Sequence, residues 1–269
     1  NRSITLADSS FTLNSNSGHL NEANKTYVSW LWKANGSGSS NTNGNIDSTV
    51  SADVDAGFSI VSYTGTGNND TVGHGLSKAP EMVIAKRRSS SEVWGVYHAA
   101  LGATKVINLN QTGAAYTYAI GWNNTAPTAS VFSLGTWGGV NGSSQTNIAY
   151  AFHSVDGYSK VGSYVGNGNV DGTFVYTGFR PAFVLIKNTS ANGTYWHIAD
   201  SKRLGYNVVG QYLFPNTNEA ESNYTEEVLL DITSNGFKLR GLYSHINGNG
   251  NTMMYYAVAE TPFKYSNAR

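Results

Sequence analysis

The string "SYTGTGNND" runs from Ser62 to Asp70, and "SYVGNGNVD" runs from Ser163 to Asp171, 101 residues later. Such a pair either holds a ligand twice or marks one fold used twice. The flanking residues choose between the two. At the same offset Pro80 falls on Pro181, Val83 on Val184 and Lys86 on Lys187, so that "APEMVIAK" meets "RPAFVLIK". After one inserted residue, Trp94 of "VWGVYH" meets Trp196 of "TYWHIAD". Each copy reads as a proline-led strand with a short strand folding back on it. The repeated string is therefore read first as architecture, a strand-turn-strand with glycines where φ is positive.

The end of the unit occurs three times. Phe11-Thr12-Leu13, Phe132-Ser133-Leu134 and Phe237-Lys238-Leu239 each open a short strand, followed after an Asn/Gly-rich loop by "YVSWLW", "NIAYAF" and "MMYYAV". Asn-Gly is a strong hairpin signal, so each unit is expected to close in a hairpin. The first copy lacks the preceding half, so residues 1–33 are expected to be the C-terminal part of a truncated unit that begins upstream. Residues 34–51, rich in Gly, Ser and Asn, read as a flexible linker. Residues 52–154 and 155–269 then form two complete units, and their short junction "HSVDGYSK" predicts that they pack together. Strands of five to seven residues with frequent turns predict an all-β fold of tandem antiparallel β-sandwich, jelly-roll-like repeats. "TEEVLLDIT" (Thr225 to Thr233) is read as a strand, because the Asn235-Gly236 turn leads on to the Phe237 strand.

Composition excludes several classes of function. Charged residues are only 13% of the 269, and 17 basic residues balance 17 acidic ones, so no polybasic surface awaits a phosphate backbone and nucleic acid is not an expected partner. The chain has no cysteine, which removes disulfides, thiolate zinc sites and a cysteine nucleophile. No run approaches the roughly 18 apolar residues of a membrane span, so membrane insertion is not expected.

The strings "SWLWKANGSGSSNTNGNIDSTVSADVDAGFSIVSYTGTG", "VGHGLSKAPEMVIAK", "VYHAALGATK" and "GYSKVGSYVGNGNVDGTFVYTGFRP", with "SNGFKLR" and "PFKYSNAR", carry a resemblance over nearly the whole chain. It resembles a repeat-domain family of unknown function found in structural proteins of marine bacteriophages. The resemblance implies a virion component of tail-fibre or appendage type, sometimes with a laminin-G or concanavalin-like lectin module upstream. It implies no enzyme and supplies no catalytic residues. The expected partners are other virion subunits in a homo-oligomer and a host-surface glycan, and the expected location is the virion surface.

Candidate chemistry was weighed residue by residue. Glycan hydrolysis needs two carboxylates roughly 5 to 9.5 Å apart. The best acidic cluster, Glu219, Glu221, Glu226 and Glu227, reads as a solvated loop. The histidines His19, His74, His98, His153, His197 and His245 show no metal-ligand spacing. "GTGNND" and "GNGNVD" lack the Lys-Ser/Thr ending of a phosphate loop. Asp70 and Asp171 are weak candidates for a hard cation, with closure of the turn preferred. No cofactor is expected. Recognition should sit where the two units differ, and "GAAYTYAIGWNNTAPTAS" is such a place. Tyr116, Tyr118 and Trp122, with Trp137 beyond them, are the candidate sugar contacts, since aromatic faces stack on sugar rings. The alternative is that these rings fill the core or a subunit interface.

Overall fold

The computed structural model describes residues 4–7, 10–13, 20–203, 207–223 and 230–261. Asn1–Lys33 forms one compact unit and Ala34–Arg269 a second. In the first, β1 (Ile4–Leu6) pairs antiparallel with β2 (Phe11–Leu13). The expected closing hairpin between Phe11–Leu13 and "YVSWLW" is not formed, and residues 27–32 carry no strand. A lone two-stranded hairpin is marginal without further strands to join.

The second unit is built of two halves. The first half contains β3 (Ser39–Asn41), β4 (Ser48–Asp53), β5 (Phe58–Thr64), β6 (Asp70–Gly73), β7 (Met82–Arg87), β8 (Trp94–His98), β9 (Lys105–Asn108), β10 (Tyr116–Thr117), β11 (Val131–Leu134), the one-turn helix α1 (Gly138–Asn141) and β12 (Thr146–Phe152). The large sheet has the order β10-β9-β8-β7-β12-β5-β4-β3, and β11 pairs with β6 in a small sheet across the core. Residues 34–51 are thus not a linker throughout. β3 and the start of β4 are hydrogen-bonded strands, and Val50 and Ile46 are buried. The composition hid this because two apolar side chains suffice to anchor an edge strand among Ser and Asn.

The second half contains β13 (Ser159–Val165), β14 (Phe174–Tyr176), β15 (Pro181–Asn188), β16 (Trp196–Asp200), β17 (Gln211–Tyr212), β18 (Ser222–Asn223), β19 (Leu230–Thr233), β20 (Gly236–Leu239), the one-turn helix α2 (Ser244–Asn247) and β21 (Thr252–Ala259). Its sheets are β13-β21-β15-β16, β14-β20-β19 and β17-β18. The proline-led pairs are antiparallel hairpins, β7 with β8 and β15 with β16. Leu230–Thr233 is a strand turning at Ser234-Asn235 into β20, whose first residue is Gly236, while residues 225–229 lie outside the described ones.

The expected closing hairpins are overturned in this unit too. β11 lies in the small sheet, whereas β12 lies in the large sheet between β5 and β7. Likewise β20 and β21 belong to different sheets. Phe132 and Leu134 meet Ala149 and Ala151 from the opposite side of one core, and Asn141-Gly142 and Asn247-Gly248 end the helices α1 and α2, while Asn249-Gly250 turns the chain into β21.

The repeated string is the socket for those helices. Tyr63 Oη donates to Val140 O at 2.7 Å, and Tyr164 Oη donates to Ile246 O at 2.7 Å. The buried Asn141 accepts from Thr66 N–H and donates to Asn68 O and Gly135 O. Asn247 does the same with Asn167 N–H, Asn169 O and Gly241 O. Gly65 and Gly166 have no alternative, since a Cβ there would lie 2.5 Å from Gly142 O and 2.4 Å from Gly248 O. The string therefore holds backbone, as a fold used twice should.

One core lies inside each half. Val83, Ala85, Ala149, Phe132 and Leu134 are among those filling the first, and Val184, Ile186, Tyr255, Phe237 and Leu239 among those filling the second. Strand alternation puts Met82, Ile84 and Phe152, and likewise Phe183, Leu185 and Tyr256, on the opposite faces of the large sheets, and these are buried as well. They are buried because the two large sheets meet back to back, with the Phe152 and Tyr256 rings 4.8 Å apart. Hydrogen bonds from Trp196 Nε1 to Asn108 O (2.9 Å), Thr194 N to Thr112 O and Ala115 N to Thr189 O fix this interface. β5 neighbours β12 with Phe58 opposite Phe152, and β13 neighbours β21 with Ser159 opposite Val258. Among the described residues no helix is long and apolar enough to cross a membrane.

Candidate functional site

The loop carrying the candidate aromatics is held at both ends. β10 pairs with β9 through Tyr116 and Val106, and Ala114 N–H donates to Asn192 Oδ1 of the second half at 2.8 Å. On this frame Tyr116, Tyr118 and Trp137 form a row, with ring centroids 5.7 Å and then 5.6 Å apart. Tyr116 is 40% exposed, whereas Tyr118 and Trp137 are half-buried. Trp122 is not part of the row. It is 1% exposed and packs edge-on against Tyr97 at 5.9 Å, so it is a core residue and leaves the set of sugar contacts. Its flanking "NNTAP" looked like a surface loop, but Asn123 and Asn124 take positive φ and turn the chain so that the ring points inward.

Trp137 precedes α1 in extended conformation, and its indole lies against two glycines. A Cβ at Gly139 would sit 2.6 Å from Trp137 Cε2, and one at Gly95 would sit 2.7 Å from Trp137 Cζ3. At the matching places of the second half the chain has Tyr243 for Trp137, His245 for Gly139 and His197 for Gly95. A smaller ring is there combined with two imidazoles in the space that two glycines leave for a tryptophan. His197 is ringed by Tyr212, Phe214, Tyr243 and His245 at centroid distances of 4.9 to 5.8 Å. Its Nδ1 contacts Tyr195 O at 3.1 Å, and burial pushes its pKa down to about 3. His245 Nδ1 accepts from Tyr195 N–H at 3.3 Å, and burial with the nearby Lys187 charge lowers it to about 4. Both rings are neutral at pH 7.

Lys187 stands behind this cluster, fully buried and, among the described residues, without a carboxylate partner. Its Nζ donates to Thr194 O (2.6 Å), Thr194 Oγ1 (2.7 Å) and, across the interface, Thr112 O (3.4 Å), and burial lowers its pKa to about 8. Single-residue reading missed this aromatic and imidazole cluster. Aligning the two copies and asking where glycine is exchanged for histidine would have found it.

The remaining candidates are engaged structurally. Asp70 accepts from Thr66 Oγ1 and Asn45 Nδ2, closing its own turn. Asp171 pairs with Lys238 at 2.8 Å and Arg240 at 3.8 Å, and the Lys238 hydrogen bond and charge hold its carboxyl below the usual range. Glu221 pairs with Arg203 at 3.4 Å, Glu219 lies in an exposed loop, and Glu226 and Glu227 lie outside the described residues. His74, His98 and His153 are buried, and His19 lies outside the described residues. Among the described residues no three His, Asp or Glu side chains come together in a way that could hold a metal ion.

A family model for a domain of unknown function, DUF7483, matches residues 1–262. The chain belongs to the DUF7483 family. The DUF7483 match covers the first compact unit and both sandwich halves of the second, so the aromatic row and the histidine cluster lie within one family domain. No curated protein and no solved structure matches the chain.

Proposed function

We propose that this chain is a non-enzymatic structural protein of a bacteriophage virion, part of a tail fibre, spike or capsid appendage, which adheres to host-surface glycan. The observation that carries the recognition part is the row Tyr116–Tyr118–Trp137. Tyr116 and Tyr118 stand on a loop tied to both halves of the scaffold, Trp137 packs edge-on against Tyr118, and the exposed Tyr116 ring offers a face on which a sugar can stack. The resemblance to repeat domains of marine phage structural proteins supports the virion setting, with other virion subunits as partners in a homo-oligomer. The test is binding of the purified protein to host-cell polysaccharide. Tyr116→Ala is expected to weaken binding about tenfold, the loss of one stacked ring. Equal binding by wild type and variant removes the row from the site.

A second reading, a subunit contact in a purely structural or decorating protein, is favoured by one observation. Tyr118 and Trp137 are already half-buried within the chain, leaving Tyr116 as the projecting ring. On that reading Tyr116→Ala shifts the oligomer distribution and leaves polysaccharide binding unchanged. A depolymerase comes last, since it requires a pair of free carboxylates and Glu221 is already held by Arg203.

A further inference from the structure

The two halves differ along one side of the sandwich. In the first half a strap closes that side. β4 pairs with β5 from Ser48 opposite Tyr63 to Asp53 opposite Phe58, Ile46 N–H donates to Thr71 O at 2.9 Å, and Ser48 Oγ donates to Gly73 O at 3.0 Å. Ile46 and Val50 reach from this strap into the core. In the second half the chain enters β13 straight from β12, a strand already held between β5 and β7. The counterpart of the strap is therefore committed to the other sheet. His153, Ser154 and Val155 line the beginning of β13, through Ser159 Oγ to His153 O, Val161 N–H to Ser154 Oγ and Ser159 N–H to Val155 O.

β13 ends its sheet and β14 ends its own. Thr173 Oγ1 donates to Val165 O at 2.7 Å, and Lys160 Nζ lies 5.9 Å from the Tyr176 ring centroid, so the two edges run side by side. Apolar side chains crowd there in the open: Val165 is 54% exposed, Val170 57%, Phe174 45% and Tyr176 60%. In the first half the places of Phe174 and Tyr176 are taken by Thr71 and Gly73, against which the strap packs. The charge is complementary as well. Residues 39–53 carry Asp47 and Asp53 and no basic residue, whereas on the open side Lys238 is paired with Asp171 and Arg240 with Asp231 and Asp171, which leaves the Lys160 charge in excess.

We propose that the open side between β13 and β14 takes an extended peptide strand of a partner subunit, neutral to acidic and rich in Asn, Ser and Gly, with aliphatic residues spaced like Ile46 and Val50. It is strand addition in trans where the first half has it in cis. It stands whether or not the aromatic row takes sugar.

The probe is a synthetic peptide of residues 40–53, titrated into the full chain and followed by amide chemical shifts. The expected result is saturable shifts at Gly162 to Val165 and Phe174 to Tyr176, with affinity falling as salt rises. Lys160→Glu is expected to weaken binding at least threefold, and Phe174→Lys, a surface change that spares the core, should abolish it. Absence of shifts at about 1 mM peptide, where even millimolar affinity would register, overturns the proposal. So do shifts confined to Ser59 to Tyr63, which would mean exchange with the resident strap. Equal binding by a scrambled peptide overturns it too.

Discussion

Replacing Asn247 with alanine should be among the most damaging single changes in the second half. The side chain is fully buried and makes three hydrogen bonds, accepting from Asn167 N–H at 3.1 Å and donating to Asn169 O and Gly241 O at 2.9 Å. Truncation strands one N–H and two carbonyls. A buried group left unsatisfied costs about 1–3 kcal/mol. The Gly241 carbonyl is enclosed and bears the full penalty, whereas the groups at Asn167 and Asn169 border solvent and recover part of theirs from water. The expected loss is about 3 kcal/mol, a large share of a domain's net stability of about 5–15 kcal/mol. Asn247→Asp keeps the acceptor but turns an oxygen toward two carbonyls, so it should be no better than alanine. Asn141, with matching bonds to Thr66 N–H, Asn68 O and Gly135 O, should behave alike. Urea unfolding at constant m-value measures the loss, and exchange of the Asn167 or Thr66 amide locates it. Losses below 1 kcal/mol at both positions would show that the socket does not anchor the helices and that this reading of the repeated string is wrong.

Other outcomes follow from the buried titratable groups and from the tryptophan seat. Burial lowers His98 to about 4 and His197 to about 3, so between pH 6.5 and 4 the unfolded chain binds protons that the native one refuses. The stability these histidines contribute should be complete above pH 6.5 and fall by about 1.4 kcal/mol per pH unit for each of them as the pH drops; flat unfolding midpoints from pH 7 to 5 contradict this. For Lys187, lowered to about 8, the native state gives up its proton before the unfolded one, so stability should rise from pH 8 towards 10. That rise should vanish in Lys187→Met, and its persistence there would assign it to another group. Gly139→Ala should push the Trp137 indole out of its seat at a cost of about 1–3 kcal/mol, seen as a red-shifted fluorescence component. The triple change Gly95→His, Trp137→Tyr and Gly139→His should recover most of that stability, and a triple variant no better than Gly139→Ala refutes the exchange of ring for imidazoles.

The β class and the proline-led hairpins were legible in the sequence because strand periodicity and turn residues are local signals. The partner of each closing strand was not. Phe132–Leu134 and Thr146–Phe152 are neighbours in sequence, yet each pairs with a strand far along the chain, and only the need to cover both sides of one core decides it. Residues 34–51 read as a linker because Ile46 and Val50 are sparse among Ser, Asn and Gly, whereas β3 and the start of β4 are held by ladder hydrogen bonds that composition does not report. Of the four aromatic candidates, Tyr116, Tyr118 and Trp137 do meet. Trp122 does not, since the direction of a ring in a loop is set by backbone turns such as those at Asn123 and Asn124.

The adjacency of β5 with β12, and of β13 with β21, bears on how such a chain can change length. Phe58 faces Phe152 and Ser159 faces Val258, so each of these two segments begins and ends within one strand spacing, about 5 Å. A duplication or deletion with its joints at these points would add or remove a whole β5–β12 or β13–β21 segment while leaving the flanking chain ends almost where they were.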